Sequence, residues 1–184
     1  MRKAVLLLGC CVLLGLTACG GNEEKVIPNT QGQTGEQGNV NSGNNEENTK
    51  VNGYVFKYKN TDIEMDKDIT GYLKNLGEPT DYSEAPSCAF DNLDKFYTYP
   101  GIEISTYYLD GKDLVLSVIL FDDTVSTAEG VSIGDAKTKV AQVYGTATES
   151  TDTAAIYKKD NMKLVFFFEG DMVKSIQYNS LVLD

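Results

Sequence analysis

Six aspartates, Asp91, Asp94, Asp110, Asp113, Asp122 and Asp123, are the residues of this 184-residue chain best suited by type and spacing to acid–base work. Paired carboxylates cleave glycosidic bonds without histidine, one acting as acid and the other as base or nucleophile. Most of the six fall among turn formers, where Asp is favoured because its side chain bonds nearby backbone. The backbone account is preferred, so no catalytic residue is assigned and no enzyme is expected. The missing residues narrow the chemistry further. The chain has no His and no Trp, and Arg2 is its only arginine. Ser/His and Cys/His dyads and imidazole metal ligands are therefore excluded. Beyond Arg2 there is no guanidinium fork to clamp phosphate or carboxylate. No segment carries the spaced Asp/Asn ligands and terminal Glu of a calcium loop, so neither metal nor cofactor is expected.

Cysteine use follows from the first residues. Arg2 and Lys3 precede an apolar run from Ala4 to Leu16, the pattern of a secretory signal. The run is shorter than the roughly 20 residues needed to span a bilayer. Its end, Leu16-Thr17-Ala18-Cys19-Gly20, resembles the bacterial lipobox. That resemblance implies cleavage after residue 18, a diacylglycerol on the Cys19 thiol, and an anchor on the extracytoplasmic face of the cell membrane. Cys10 and Cys11 leave with the signal, so Cys88 has no partner within the chain. In Ser87-Cys88-Ala89-Phe90, read as a strand, a free Cys is expected to behave as a small buried hydrophobe.

From Gly20 to about Lys50 the chain is Asn, Gly, Gln, Glu and Thr, too polar to offset its ordering entropy. The division expected is 1–18 signal peptide, 19–50 lipidated Cys and flexible linker, 51–122 first repeat and 123–184 second repeat. The formal net charge of −11 becomes −13 when Arg2 and Lys3 are lost. Such acidity repels phosphate backbones and anionic lipid heads. Nucleic acid is excluded as a partner, and the membrane is reached only through the lipid on Cys19.

The clearest helix runs from Asp66 to Leu76, with Ile69, Tyr72, Leu73 and Leu76 on one face. Asp66 is placed to cap it and Gly77 to end it. A second helix spans Asp135 to Tyr144, and the two superpose at an offset of about 68 residues, which reads as an internal duplication. Strands follow each helix. In the first unit they are Ser87 to Phe90, Lys95 to Tyr99, Ile102 to Leu109 and Leu114 to Phe121; in the second, Ala154 to Lys158, Met162 to Phe168 and Met172 to Leu181. The expected fold is α+β, with two tandem helix-plus-antiparallel-sheet repeats packed into one domain.

Alternation assigns Ile102, Ile104, Thr106 and Tyr108, with Leu114, Leu116, Val118 and Leu120, to the face under the helices. The opposite face carries Glu103, Ser105, Tyr107 and Ser117, with Tyr97 and Tyr99 beside them. Tyr is frequent at interface hot spots, which makes Tyr97, Tyr99, Glu103, Ser105 and Tyr107 candidate partner-binding residues. Strand propensity alone also explains aromatic residues there.

Ile133-Gly134-Asp135 before a helix and Tyr144-Gly145 after it resemble the tandem repeats of the β-lactamase inhibitory protein and, in single-unit form, small outer-membrane assembly lipoproteins of the SmpA/OmlA type. The segment Tyr97 to Tyr107 resembles lipoproteins of Gram-positive gut anaerobes. The resemblance spans Tyr54 to Tyr178 and implies the repeat fold. By analogy it implies an inhibitor of a secreted or surface hydrolase, a β-lactamase or peptidase. The inhibitory protein's repeats carry disulfides, which a lone Cys88 cannot supply. The function expected from the residues themselves is a non-catalytic module that presents its sheet face to another protein or to an envelope polymer.

Overall fold

The computed structural model describes residues 53–184, so the signal, the lipobox with Cys19 and the linker all lie outside the described residues. Ten strands and two helices follow in order among the described residues. They are β1 (Phe56–Tyr58), β2 (Thr61–Ile63), α1 (Ile69–Leu76), β3 (Asp81–Pro86), β4 (Leu93–Tyr99), β5 (Ile102–Leu109), β6 (Lys112–Leu120), α2 (Lys137–Tyr144), β7 (Glu149–Ser150), β8 (Ala154–Lys159), β9 (Met162–Glu169) and β10 (Met172–Ser180). Asp110 and Gly111, both with positive φ, form the tight link from β5 to β6, the conformation a two-residue hairpin requires.

Strands β3 to β10 form one antiparallel sheet in the order β3-β4-β5-β6-β10-β9-β8-β7, and β1 and β2 form a separate hairpin. The α+β tandem-repeat expectation is corrected here. The fold is mostly β, and its helices are eight residues each. The two meanders share one sheet because β6 and β10 pair directly, from Leu120 with Ile176 to Ser117 with Asn179. An unpaired strand edge inside the molecule would leave backbone donors and acceptors unsatisfied, and the pairing removes two such edges.

One face of the sheet is covered by α1, α2 and the β1–β2 hairpin. The core between these layers is strongly aromatic: Phe56 lies 5.4 Å from Tyr178, and Tyr144 lies 5.1 Å from Phe166, centroid to centroid. Helix α1 contributes Ile69 and Leu76, and α2 contributes Val140. Both helices stop at glycines of positive φ, Gly77 and Gly145, as their sequences dictate.

The start of α1 differs from expectation. Asp68, not Asp66, caps it, its carboxylate accepting the Thr70 N–H at 2.9 Å. That bond holds the Asp68 carboxyl below its ordinary range. Asp66 instead adopts positive φ and donates its N–H to the Val115 carbonyl at 2.9 Å, while the Val115 N–H reaches the Lys67 carbonyl at 2.9 Å. Residues 66–68 thus take over the edge of β6 beyond the end of its pairing with β10.

Two further expectations are corrected. Residues 87–90 are a loop, not a strand, and Cys88 is exposed on it. The strand expected there lies earlier, as β3, whose six residues are all exposed and carry no apolar alternation. Leu116 does not join the covered face, because a bulge between β5 and β6 sets Ser105 opposite Ser117 but Thr106 opposite Val115. The extra residue inverts the parity of β6. Val115 is therefore buried with Val118 and Leu120, and Leu116 is half exposed on the other side.

Candidate binding site on the open face of the sheet

Strand register defines the second face residue by residue. Across the sheet run Glu103, Ile119, Gln177, Val165 and Ile156, each directly opposite the next. A parallel row runs Phe96, Ser105, Ser117, Asn179, Lys163 and Lys158. Phe167 stands beyond the first row, opposite Ala154 and Ser175. Alternation along β9 is what divides Phe166, fully buried under the helices, from Phe167, 38% exposed on this side.

The rows enclose a shallow groove of ≈ 390 Å³ whose walls include Leu116, Ile156, Val165, Phe167 and Leu183. Amides of Gln177 and Asn179 line its floor. Ion pairs bound it at one end: Lys158 with Glu149 at 2.9 Å, and Lys163 and Lys158 with Asp184. The Lys163 contact, reinforced by Lys158, holds the Asp184 carboxyl below its ordinary range. The groove thus has an apolar centre, an amide floor and a charged rim.

The five residues singled out in the sequence do not come together. Tyr97 and Tyr99 lie in the core under the helices, and Tyr99 donates its hydroxyl to the Gly77 carbonyl at 3.0 Å. Tyr107 is on the open side, but Phe90 of the β3–β4 loop stacks on it at 4.6 Å, leaving it 2% exposed. Its hydroxyl donates to the Asp66 carboxylate at 3.0 Å. Burial, aided by Asp66, pushes its pKa up to about 12. The Ser105 hydroxyl is bonded to that of Ser117 at 2.7 Å, both buried. Of the five, only Glu103 is half exposed on the open face, at the end of the transverse row. The apolar residues that do line the groove were legible as alternation within β8 and β9, Ile156 with Ala154 and Val165 with Phe167. Without knowledge of which strand edges meet, that signal does not show which side stays open.

Three of the six aspartates serve local structure. Asp113 pairs with Lys95 at 2.7 Å, Asp122 accepts the Thr124 N–H at 2.9 Å, and Asp110 takes the positive-φ turn position. Among the described residues no group of three His, Cys, Asp or Glu is arranged to hold a metal ion, and no helix is long and apolar enough to cross a membrane.

No family model matches the chain, and no curated protein matches it. Solved structures similar to the chain include two from bacteria. An extracellular protein containing a SCP domain from Bacillus anthracis str. Ames aligns with a TM-score of 0.47 and 11% identity, over 63% of this chain and 44% of that one. A cysteine-rich secretory protein from Staphylococcus aureus subsp. aureus Mu50 aligns with a TM-score of 0.44 and 12% identity, again over 63% and 44%. The alignments thus span less than half of either protein. The resemblance to tandem-repeat inhibitory proteins is corrected on two counts: no family model matches the chain, and β3 to β10 form one continuous sheet in place of two helix-plus-sheet repeats. The hydrolase-inhibitor expectation loses its basis with it.

Proposed function

We propose that this domain is a non-catalytic module that binds a protein partner through the open face of its sheet. The observation carrying this reading is the strip of Leu116, Ile119, Ile156 and Phe167, each partly exposed around a buried Val165, on which no helix or further strand is layered among the described residues. An uncovered, contiguous apolar strip rimmed by charges is a common signature of an association surface. The sequence supports an extracytoplasmic setting, with the chain held to the membrane by a lipid on Cys19 and the linker extending its reach.

The test uses a photo-crosslinking amino acid placed at Phe167, or at Gln142 on the exposed side of α2, in cells making the whole chain. The reading requires a discrete protein adduct from position 167 that is absent from position 142 and is suppressed by Ile156→Asp. Adducts of equal yield from both positions would refute it. Separately, Cys19→Ser should release the chain from the membrane fraction if the lipid is the anchor.

A further inference from the structure

On the helix-covered side, at the end of the sheet formed by β3 and β4, lies a pocket of ≈ 330 Å³ lined by Leu73, Gly77, Glu78, Pro79, Tyr82 and Tyr97. Tyr82 and Tyr97 are register partners, their ring centroids 5.0 Å apart and their planes at 45°, so the two rings open as a wedge. Tyr82 is 46% exposed. Its hydroxyl donates to the Glu84 carboxylate, a bond that increases the electron density of the ring. Glu78 stands exposed at the mouth. The C-terminal end of α1, where the helix dipole is negative, leads directly into the pocket wall through Gly77.

Elsewhere the fold fills such places with its own lysines. The Lys59 ammonium sits 5.4 Å from the ring centroids of both Tyr58 and Tyr99, and 3.4 Å from the Leu76 carbonyl at the end of α1. Beside α2, the Lys137 ammonium sits 4.9 Å from the Phe168 ring and bonds the Asp152 carbonyl at 3.1 Å. Lys95, two residues from Tyr97 on β4, is held by Asp113 at 2.7 Å. Among the described residues, no lysine is recorded over the Tyr82 or Tyr97 ring.

We propose that the Tyr82/Tyr97 wedge is a binding site for an ammonium group supplied from outside the chain. The aromatic faces attract the cation through their quadrupoles, the Glu78 carboxylate neutralises it, and Leu73 and Pro79 pack on its alkyl stem. The site is separate from the open face and does not depend on the function proposed for it. Its chemistry admits two sources, a lysine side chain of a protein or cell-wall peptide, or a quaternary ammonium headgroup.

The test is an NMR titration of the intact chain with Nα-acetyl-lysine methylamide, with choline, and with 3,3-dimethylbutanol, the neutral isostere of choline. Saturable shifts of the Tyr82 and Tyr97 ring signals are expected with at least one cation, at roughly tenfold higher affinity than for the neutral isostere. Preference for the lysine compound identifies a peptidyl source, and preference for choline a headgroup source. Tyr82→Ala should abolish the shifts and Tyr82→Phe retain them. Glu78→Gln, an exposed substitution that leaves the core untouched, should weaken cation binding several-fold. Equal affinity for the neutral isostere, or no saturable shift with either cation, overturns the proposal.

Discussion

The two faces of the sheet are built from the same strands, yet only one of them is closed. On β9 the neighbours Phe166 and Phe167 point to opposite sides, one into an aromatic core and the other towards solvent. The covered face is held by layers packed against it. The open face is held by local pairs: Ser105 with Ser117, and Tyr107 beneath Phe90 with its hydroxyl on Asp66. Packing is therefore concentrated on one side, which leaves Phe167 of the other 38% exposed.

The sharpest way to break this division is at β9. Phe166→Ala should cost about 3–5 kcal/mol, as for other buried aromatics. Phe167→Ala, one residue on, should cost only about 1 kcal/mol. Denaturant titration of both variants checks the pair, and similar losses would show that the open face carries core packing after all.

Next in size is an alkaline limit set partly by the open side. Tyr107 keeps its proton to about 12 in the folded chain, whereas an unfolded tyrosine releases it near the ordinary 10.0. The unfolded state therefore loses protons first. Stability falls as pH rises through 10.0 and continues to fall to about 12. Tyr107→Phe should lessen that slope, as measured by denaturation across the alkaline range.

The hydroxyl pair offers a finer test. Ser105→Ala or Ser117→Ala alone should cost about 1 kcal/mol, because each strands its buried partner; the double variant should cost less than the sum. Additive losses would mean the two hydroxyls act independently. The smallest contrast concerns the covering layer. Asp68 caps α1, so Asp68→Ala should cost about 1 kcal/mol; Ala136 starts α2 with no side-chain cap, so Ala136→Ser should gain about 0.5 kcal/mol. The folded Asp68 carboxyl titrates below 3.8, so its contribution is present above that pH and is lost as pH falls through its lowered value.

Much of the architecture could be read from local pattern. The span of β5 agrees with its alternation, and β4, β6, β8, β9 and β10 differ from expectation by a residue or two. Gly77 and Gly145 end their helices because local sequence decides a left-handed terminator. What pattern could not reveal was set by distant partners. Strand β3 is an exposed edge held by β4 alone, so burial imposes no alternation on Asp81-Tyr82-Ser83-Glu84-Ala85-Pro86. The bulge at Leu116 breaks a clean period of two, and it moved Val115 into the core. The direct pairing of β6 with β10 turned two expected units into one sheet. Four of the five candidate site residues failed as an exposed patch for the same reason: Tyr97 and Tyr99 are core, and Tyr107 and Ser105 are covered by contacts from other segments.

The β6–β10 seam also dictates an order of assembly. Each meander closes through neighbours in sequence, whereas the seam joins Val118 to Tyr178 across the rest of the chain. Contacts between distant residues form late, after the entropy of closing a long loop has been overcome. As the polypeptide emerges from its amino end, the first meander can fold while β6 still presents a bare hydrogen-bonding edge flanked by Val118, Ile119 and Leu120. Until β10 arrives, that edge is a template for strands of neighbouring molecules, so the interval before the seam closes is when the nascent chain most needs a chaperone.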